Sequence, residues 1–244
     1  MFCGKTHAPL TEMRAAAPWW LLALPVVASL ERLQAFSRVL RGEAPRPVIS
    51  REDGVRVRSG CKGDAARIRE LWLANDEARV AGPCSLMPAW SVEGIERSFA
   101  PRRAGGAFRA TSSVAYDWSE DPPKLVGFAA ANSPEEAYNA DSTLPWRAAV
   151  DDGAFDPGAF VGPVCVAAEK RGSGLFRDLY AALLTSDDLA DVGDGVTIID
   201  AGNVPSLTAH ARLPGCAEAG AFDHGGRSWV VFRFDVAAAR AALS

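Results

Sequence analysis

The sequence predicts a mixed α/β domain in which helices cover a single sheet, with an extension before it. Strand-like and helix-like segments alternate only in part, in the order β-α-α-β-β-β-α-β-α-β-β. The apolar run at 161–168 is typical of a strand buried in the middle of a sheet. Hydrophobic residues make up 48% of the 244 residues and charged residues 23%, so the chain can bury a core.

The first elements of the domain follow from short-range periodicity. Apolar and polar residues alternate in Val55–Arg58, which predicts a short strand with one buried face. Helical spacing begins at Ala65, and Asp64 is placed to cap that helix. Glycine and prolines in 79–90 indicate a loop, and a short helix is expected over 92–99.

A hairpin and a long polar insertion come next. Strands are predicted at 108–116 and 124–131, joined by the turn sequence DWSEDPP. Residues 132–159 then carry six acidic residues and one arginine. Loops of this length are often functional, so the insertion could attract a cationic amine, although acidic surface loops are also common without a function.

The C-terminal half alternates strands and helices more regularly. Five of the elements expected there have definite bounds: strand 161–168, helix 174–184, strand 196–200, helix 205–212 and strand 229–234. His224, in the sequence FDHGGRS, is interpreted as a residue of a hairpin turn.

Residues 1–53 are predicted to be an extension of helix plus linker, and 54–244 to be the main domain. The apolar stretch 15–30 is too short, and too interrupted by prolines, for a membrane-spanning helix. It would pack as an amphipathic helix or, alternatively, act as a targeting segment of a secreted or membrane-associated protein. Its Trp19-Trp20 pair could bury itself against a second copy and so form a homodimer.

Charge and cysteine content exclude several classes of protein. A net charge of −4 argues against a nucleic-acid binder. The five cysteines are widely spaced without a C-x-x-C pair, and the three histidines are scattered, so neither a metal site nor a disulfide framework is expected. Reduced thiols favour a cytoplasmic location.

The most informative segment is VGPVCVAAEKRGSGLFRDLYAALL at 161–184, where a strand, a two-glycine loop and an amphipathic helix follow one another. Glycines expose the backbone N–H groups of the loop, and the helix adds free N–H groups and the positive end of its dipole. Together these groups would bind a phosphate or pyrophosphate. The alternative is an ordinary strand-to-helix turn.

Two linked motifs resemble the GNAT N-acetyltransferases. These are RGSGLFRDLY after a strand and, about 30 residues later, NVPSLxxHxxL after the strand VTIID. The resemblance covers about residues 55–236, including VRVRSGCKGDAARIRELW at the start. It implies a mixed, mostly antiparallel sheet of about seven strands flanked by helices. The sheet would be splayed between strands four and five, where acetyl-CoA binds.

The resemblance also implies which residues hold the cofactor. Val164 and Val166, on the fourth strand, would lie beside the pantetheine arm, and Asn203 would help to hold that arm. The pyrophosphate loop matches Arg171, Gly172, Ser173, Gly174 and Leu175. The next position is Phe176, where the family pattern has Gly or Ala.

His210 stands where the family often has a tyrosine that acts as general acid for the departing thiolate. An imidazole can donate a proton near neutral pH, so His210 is the predicted catalytic residue. Alternatively, it only hydrogen-bonds a helix neighbour or the cofactor. The family's Leu-Gly-Phe run is replaced by Leu213-Pro214-Gly215-Cys216, which changes the chain directly after the helix.

The resemblance implies an enzyme, an acyltransferase that moves the acetyl group of acetyl-CoA to a primary amine of a small molecule or peptide. The alternative is a catalytically inactive acetyl-CoA-binding sensor or interaction module of the same fold. The general base is not identified from the sequence, because Glu169 beside the loop is better explained as a solvated surface residue. Cys165 is interpreted as a buried structural cysteine, since no activating base lies near it in the sequence.

Overall fold

A twisted sheet with helices on both faces organises the described part of the chain. The computed structural model describes residues 49–77, 90–97, 99, 108–140 and 158–243. All of them lie in one unit of the chain, Arg46–Ser244. The predicted helix of the N-terminal extension, the apolar stretch 15–30 and most of the predicted loop at 79–90 lie outside the described residues.

The described strands form one eight-stranded sheet in the order β1-β2-β3-β4-β5-β6-β8-β7. All neighbouring pairs are antiparallel except β5 and β6, which are parallel. The strands are β1 (Ile49–Ser50), β2 (Val55–Ser59), β3 (Ala110–Asp117), β4 (Lys124–Asn132), β5 (Ala159–Val166), β6 (Asp194–Asp200), β7 (Cys216–His224) and β8 (Arg227–Asp235).

Helices cover both faces of this sheet. They are α1 (Ala65–Glu77), α2 (Val92–Arg97), α3 (Pro134–Ala140), α4 (Leu175–Leu184), α5 (Val204–His210) and α6 (Val236–Leu243). Neighbouring residues of a strand point to opposite faces, and Val114 and Ala115 of β3 accordingly lie in different apolar clusters. The Val114 cluster contains Trp72 of α1, whereas the Ala115 cluster contains residues of α4 and α6.

The parallel pair β5 and β6 separates soon after it begins. Its register pairs are Ala159 with Gly195 and Phe160 with Val196. By contrast, β5 stays paired with β4 to Val166, and β6 stays paired with β8 to Asp200. The two strands therefore enclose a wedge-shaped gap, and the predicted splay between the fourth and fifth strands is confirmed here between β5 and β6.

The predicted mixed, mostly antiparallel sheet is confirmed, with one strand more than the seven expected. The extra strand is β1, in residues predicted to be linker, and the predicted boundary at residue 53 lies between β1 and β2. Helix α6 was not predicted either. Part of the predicted polar insertion is helical, because α3 occupies Pro134–Ala140. Its Glu136 is paired with Arg109.

Candidate functional site

A pocket occupies the gap between β5 and β6 and reaches both faces of the sheet. Val164 contributes to it from β5, Asp200 from β6, Asn203 and His210 from the segment after β6, and Trp229 from β8. Trp72 reaches the pocket from α1. Three residues that sequence reasoning selected, Val164, Asn203 and His210, are therefore brought together.

The edge of β5 that faces this gap carries backbone groups that β4 does not use. The N–H of Ala167 donates to the carbonyl of Val126 at 2.9 Å. Hydrogen-bonded residues alternate along an antiparallel pair, so Cys165 points its backbone groups to β4 and Val164 and Val166 point theirs to the gap. These are the groups that an extended ligand arm could pair with.

The loop at 171–175 joins this edge to α4 through two left-handed glycines. Gly172 has φ +74° and Gly174, the N-cap of α4, has φ +88°. A Cβ on Gly172 would meet nothing within 4 Å, so the surface of the loop is open there. Ser173 Oγ donates to the carbonyl of Lys170 at 2.7 Å and closes the turn. The first turn of α4 adds N–H groups that have no carbonyl acceptor within the helix.

Arg171 turns away from this N-terminus. Its Nη2 donates to Oδ1 of Asn75 at 2.6 Å, and its Nε donates to the carbonyl of Val166 at 3.3 Å. The guanidinium therefore ties the end of β5 to α1. Its predicted contact with a phosphate stays a prediction, since these two hydrogen bonds hold the side chain elsewhere in this structure.

Asn203 begins α5. Its Oδ1 accepts a hydrogen bond from the N–H of Ser206 at 3.2 Å, the usual arrangement of an N-cap. Because β6 ends three residues earlier, at Asp200, this cap sits at the wide end of the gap. The role of Asn203 in holding a ligand stays a prediction.

His210 ends α5 and is buried, with 1% of its surface exposed. Nδ1 lies 2.8 Å from the carbonyl of Ser206, so Nδ1 carries the proton and donates it. Nε2 therefore accepts from the hydroxyl of Tyr180 at 2.7 Å. Burial lowers the pKa of His210 to about 4, so the ring is neutral at pH 7.

The general-acid role of His210 stays a prediction, and it requires a change in the hydrogen bonds of the imidazole. A neutral imidazole with both nitrogens engaged has no proton to spare for a departing thiolate. One of the two hydrogen bonds, to Ser206 or to Tyr180, has to break before the ring can deliver one.

Two of the three departures from the family pattern, Phe176 and His210, lie against each other. The ring of Phe176 is 5.0 Å from that of His210 in an edge-on arrangement and 4.8 Å from that of Tyr180. Phe176 thus connects the start of α4 to the end of α5 and helps to bury the imidazole.

Sequence reasoning missed Asp200 and the two tryptophans of the pocket. Asp200 lies directly opposite Trp229 in the register of β6 and β8, so the two side chains share one face of the sheet. Oδ1 of Asp200 accepts from the N–H of Gly202 at 2.8 Å, and Oδ2 of Asp200 is 3.6 Å from Nη1 of Arg227. The sequence signal that could have identified Asp200 is its position directly after the apolar run VTII.

Trp72 has an unpartnered polar atom. The residue is 1% exposed, and its indole Nε1–H has no hydrogen-bond partner among the described residues. Leaving a buried donor unpaired is costly, and such groups usually find an acceptor in a protein, water or a ligand. A ligand carbonyl in the pocket is one such acceptor.

The remaining sequence candidates lie outside the pocket. Glu169 is paired with Lys124 at 2.7 Å, and the hydrogen bond from that lysine lowers the pKa of Glu169. Cys165 is buried against α1, as expected. The predicted hairpin turn is confirmed at Gly225-Gly226, but His224 itself is the last residue of strand β7 and not a turn residue.

Two solved structures resemble this chain with a TM-score of 0.50 each. One is ribosomal-protein-S5-alanine acetyltransferase from Vibrio fischeri, at 14% sequence identity, with 78% of this chain and 97% of that one covered. The other is a candidate acetyltransferase from Acinetobacter baylyi ADP1, at 21% identity, with 74% and 92% covered. This chain has the GNAT fold.

No protein-family model and no curated protein matches the sequence, so the comparison with solved structures is the one that shows the fold. The described sheet begins with β1 at Ile49, a few residues before residue 55, where the resemblance in sequence begins. No helix in the described part of the chain is long and apolar enough to cross a membrane.

Proposed function

We propose that the chain is an acetyl-CoA-dependent N-acetyltransferase that acts on a primary amine. One observation carries the proposal: the gap between β5 and β6 ends at a glycine loop and a helix N-terminus. An extended thioester arm and an anionic diphosphate fit these two features in the order in which CoA joins them. The GNAT fold supports the same reaction class.

The residues fit such a cofactor at three places. The backbone groups of Val164 and the N–H of Val166 face the gap and can pair with the amides of the pantetheine arm, while the carbonyl of Val166 accepts from Arg171. The open loop around Gly172 and the N-terminus of α4 suit a diphosphate. The unpartnered indole N–H of Trp72 would gain an acceptor. Bound there, acetyl-CoA supplies an activated acyl group.

The chain's own groups then have to align the amine and move protons. The bound ammonium first gives one proton to solvent. The neutral nitrogen then bonds to the thioester carbon, the carbon–sulfur bond breaks, the nitrogen loses a second proton and the sulfur gains one. Asp200 contributes a carboxylate to the pocket and lies opposite Trp229 in the register of β6 and β8, so we assign it to binding the ammonium form of the acceptor. His210 is assigned to the proton that sulfur gains.

A second candidate is an acetyl-CoA-binding module without turnover. The specific observation that favours it is His210, whose two nitrogens are both engaged and whose ring is neutral. The two candidates share the cofactor site and differ in whether CoA is released when an amine is added.

The direct test measures free CoA released from acetyl-CoA by the full chain with a set of primary amines. We expect amine-dependent release, and we expect Gly172→Ala to raise the Kd for acetyl-CoA at least about tenfold. The alanine forces a side chain into the left-handed region and covers the loop.

Gly226→Ala is the matched control for that variant. Gly226 has φ +75°, and a Cβ there also meets nothing within 4 Å, but it lies in the β7–β8 turn. The two variants share the same backbone strain, so only Gly172→Ala should change acetyl-CoA binding. Tight binding with no amine-dependent release would favour the second candidate, and no binding would reject both.

A further inference from the structure

We infer that Arg51 is a positioning residue that prepares the 171–175 loop and the start of α4 for the diphosphate of CoA. The inference rests on the proposed function of that loop. Arg51 belongs to the edge hairpin of β1 and β2, outside both sequence motifs, and nothing in its local sequence marks it.

The hairpin fixes the backbone of Arg51. Its N–H donates to the carbonyl of Val55 at 2.9 Å, and its carbonyl accepts from Gly54 at 3.3 Å. Strand β1 pairs with β2 through Ile49 and Val57. Arg51 therefore extends from an ordered turn, 122 residues before the loop residue that it contacts.

The guanidinium makes three contacts, and two of them reach the loop and α4. Nη2 donates to the carbonyl of Ser173 at 2.6 Å, and Nη1 donates to the carboxylate of Asp178 in the first turn of α4. Nε donates to Asp53 at 3.2 Å, beside it in the hairpin. The side chain of Arg51 is 19% exposed and that of Asp178 is 27% exposed, so the pair between them is partly shielded from solvent.

The contact with Ser173 fixes the direction of the next N–H group. In a trans peptide the carbonyl and the following N–H point in opposite directions. Because the carbonyl of Ser173 points to Arg51, the N–H of Gly174 points away from it. Gly174 can follow this geometry because its φ of +88° suits glycine. Arg51 thus orients one donor of the loop.

The contact with Asp178 removes an electrostatic obstacle. A carboxylate in the first turn of a helix favours the helix dipole, but it repels an anion bound at the same N-terminus. The guanidinium of Arg51 counters that charge at contact distance. Arg171, the loop's own arginine, is occupied with Asn75 and the carbonyl of Val166.

The test compares Arg51→Gln, Asp178→Asn and the double variant in the full chain. Calorimetry measures the binding of CoA, and competition measures the binding of pantetheine, which lacks the diphosphate. Arg233→Gln is the matched control, because Arg233 also pairs with a carboxylate, that of Asp194, at the opposite end of β6 from Asp200.

Arg51→Gln should weaken CoA binding about tenfold and leave pantetheine binding unchanged, since the diphosphate meets both an unpaired Asp178 and a loop that is no longer held. The double variant should bind CoA more tightly than Arg51→Gln, because the exposed carboxylate is gone. A purely structural role for Arg51 would not produce this recovery. Arg233→Gln should behave as wild type.

Two results would overturn the inference while leaving the proposed function intact. One is wild-type affinity for CoA in Arg51→Gln, and the other is an equal loss for CoA and pantetheine. A wild-type chain that does not bind CoA would reject the proposed function itself. If Arg51→Gln fails to fold, Arg51→Lys replaces it. The lysine keeps a positive charge beside Asp178, so we expect an affinity for CoA between that of wild type and one tenfold weaker. Pantetheine binding must again be unchanged.

Discussion

The sequence motif locates His210, but the surroundings of this side chain give it a different protonation behaviour from that of an ordinary histidine. Four aromatic rings surround it, those of Phe176, Tyr180, Phe232 and Phe234. They exclude water, so the charged form of the imidazole is unfavourable and the pKa of His210 falls to about 4. A histidine at a catalytic position is thereby held neutral at physiological pH.

This burial predicts a pH-dependent stability. Between pH 6.5 and 4 the unfolded chain binds a proton at His210 that the folded chain does not, so the free energy of unfolding decreases as the pH falls through this window. The full effect is about 3 kcal/mol, from ~1.4 kcal/mol per unit of pKa difference. Urea unfolding at pH 7, 5.5 and 4.5 measures it, with His210→Gln as the variant that should remove this decrease.

His224→Gln is the matched control, since His224 lies exposed at the end of β7. It should leave the dependence of stability on pH as in wild type. An equally steep dependence in His210→Gln would show that other groups cause it. The same variant decides the catalytic role: unchanged turnover in His210→Gln would remove His210 from proton transfer.

Residue identities at the site were predictable, but their environments were not. The glycines at 172 and 174 follow from the motif, and their positive φ values agree with it. The burial of His210 depends on rings from α4 and β8, which are distant in sequence. Arg171 was assigned to phosphate because of its place in the motif, and no local signal indicates its partner Asn75 on α1.

At the scale of elements, the junction between β2 and α1 depends on one buried carboxylate. Asp64 accepts from both terminal nitrogens of Arg58 at 2.9 and 2.8 Å, from the hydroxyl of Tyr116 at 2.7 Å and from the N–H of Cys61 at 2.9 Å. Burial alone would raise the pKa of Asp64, but the hydrogen bonds outweigh it and the pKa is lowered. Asp64 therefore caps the turn that precedes α1, whereas the sequence predicts that it caps α1 itself.

Asp64→Ala should therefore destabilise the protein by about 3 kcal/mol, because it leaves Arg58 and Tyr116 without their shared acceptor. Chemical denaturation at pH 7 measures the change. Asp194→Ala is the control, since it breaks an exposed pair with Arg233 and should cost less than about 1 kcal/mol. Equal losses of stability in Asp64→Ala and Asp194→Ala would contradict the claim that the hydrogen bonds of buried Asp64 stabilise this junction.

Elements with strong periodicity were predicted, and short or edge elements were not. The continuous apolar run identified β5 and the helical period identified α4, each to within about two residues. Strand β1 has two residues and follows prolines, so it has no measurable period. Pairing with β2 creates that strand, and only the fold reveals it.

At the scale of the whole molecule, the sheet consists of two parts with a narrow connection. Strands β1 to β5 form one part and β6, β8 and β7 the other, and the register between them has only two pairs, at Ala159 and Phe160. The pocket lies where the parts separate. A ligand in the gap would replace the missing strand contacts and join the two parts.

Acetyl-CoA should therefore stabilise the full chain against thermal unfolding. At a hundredfold excess over Kd, a ligand that binds only the folded state adds about 2.7 kcal/mol, which raises Tm by roughly 5–10 °C for a chain of this size. Differential scanning fluorimetry measures the shift, with adenosine as the control because it lacks both the diphosphate and the pantetheine arm. An equal shift with adenosine would mean that the gap between β5 and β6 is not the binding site, since only the arm can bridge it.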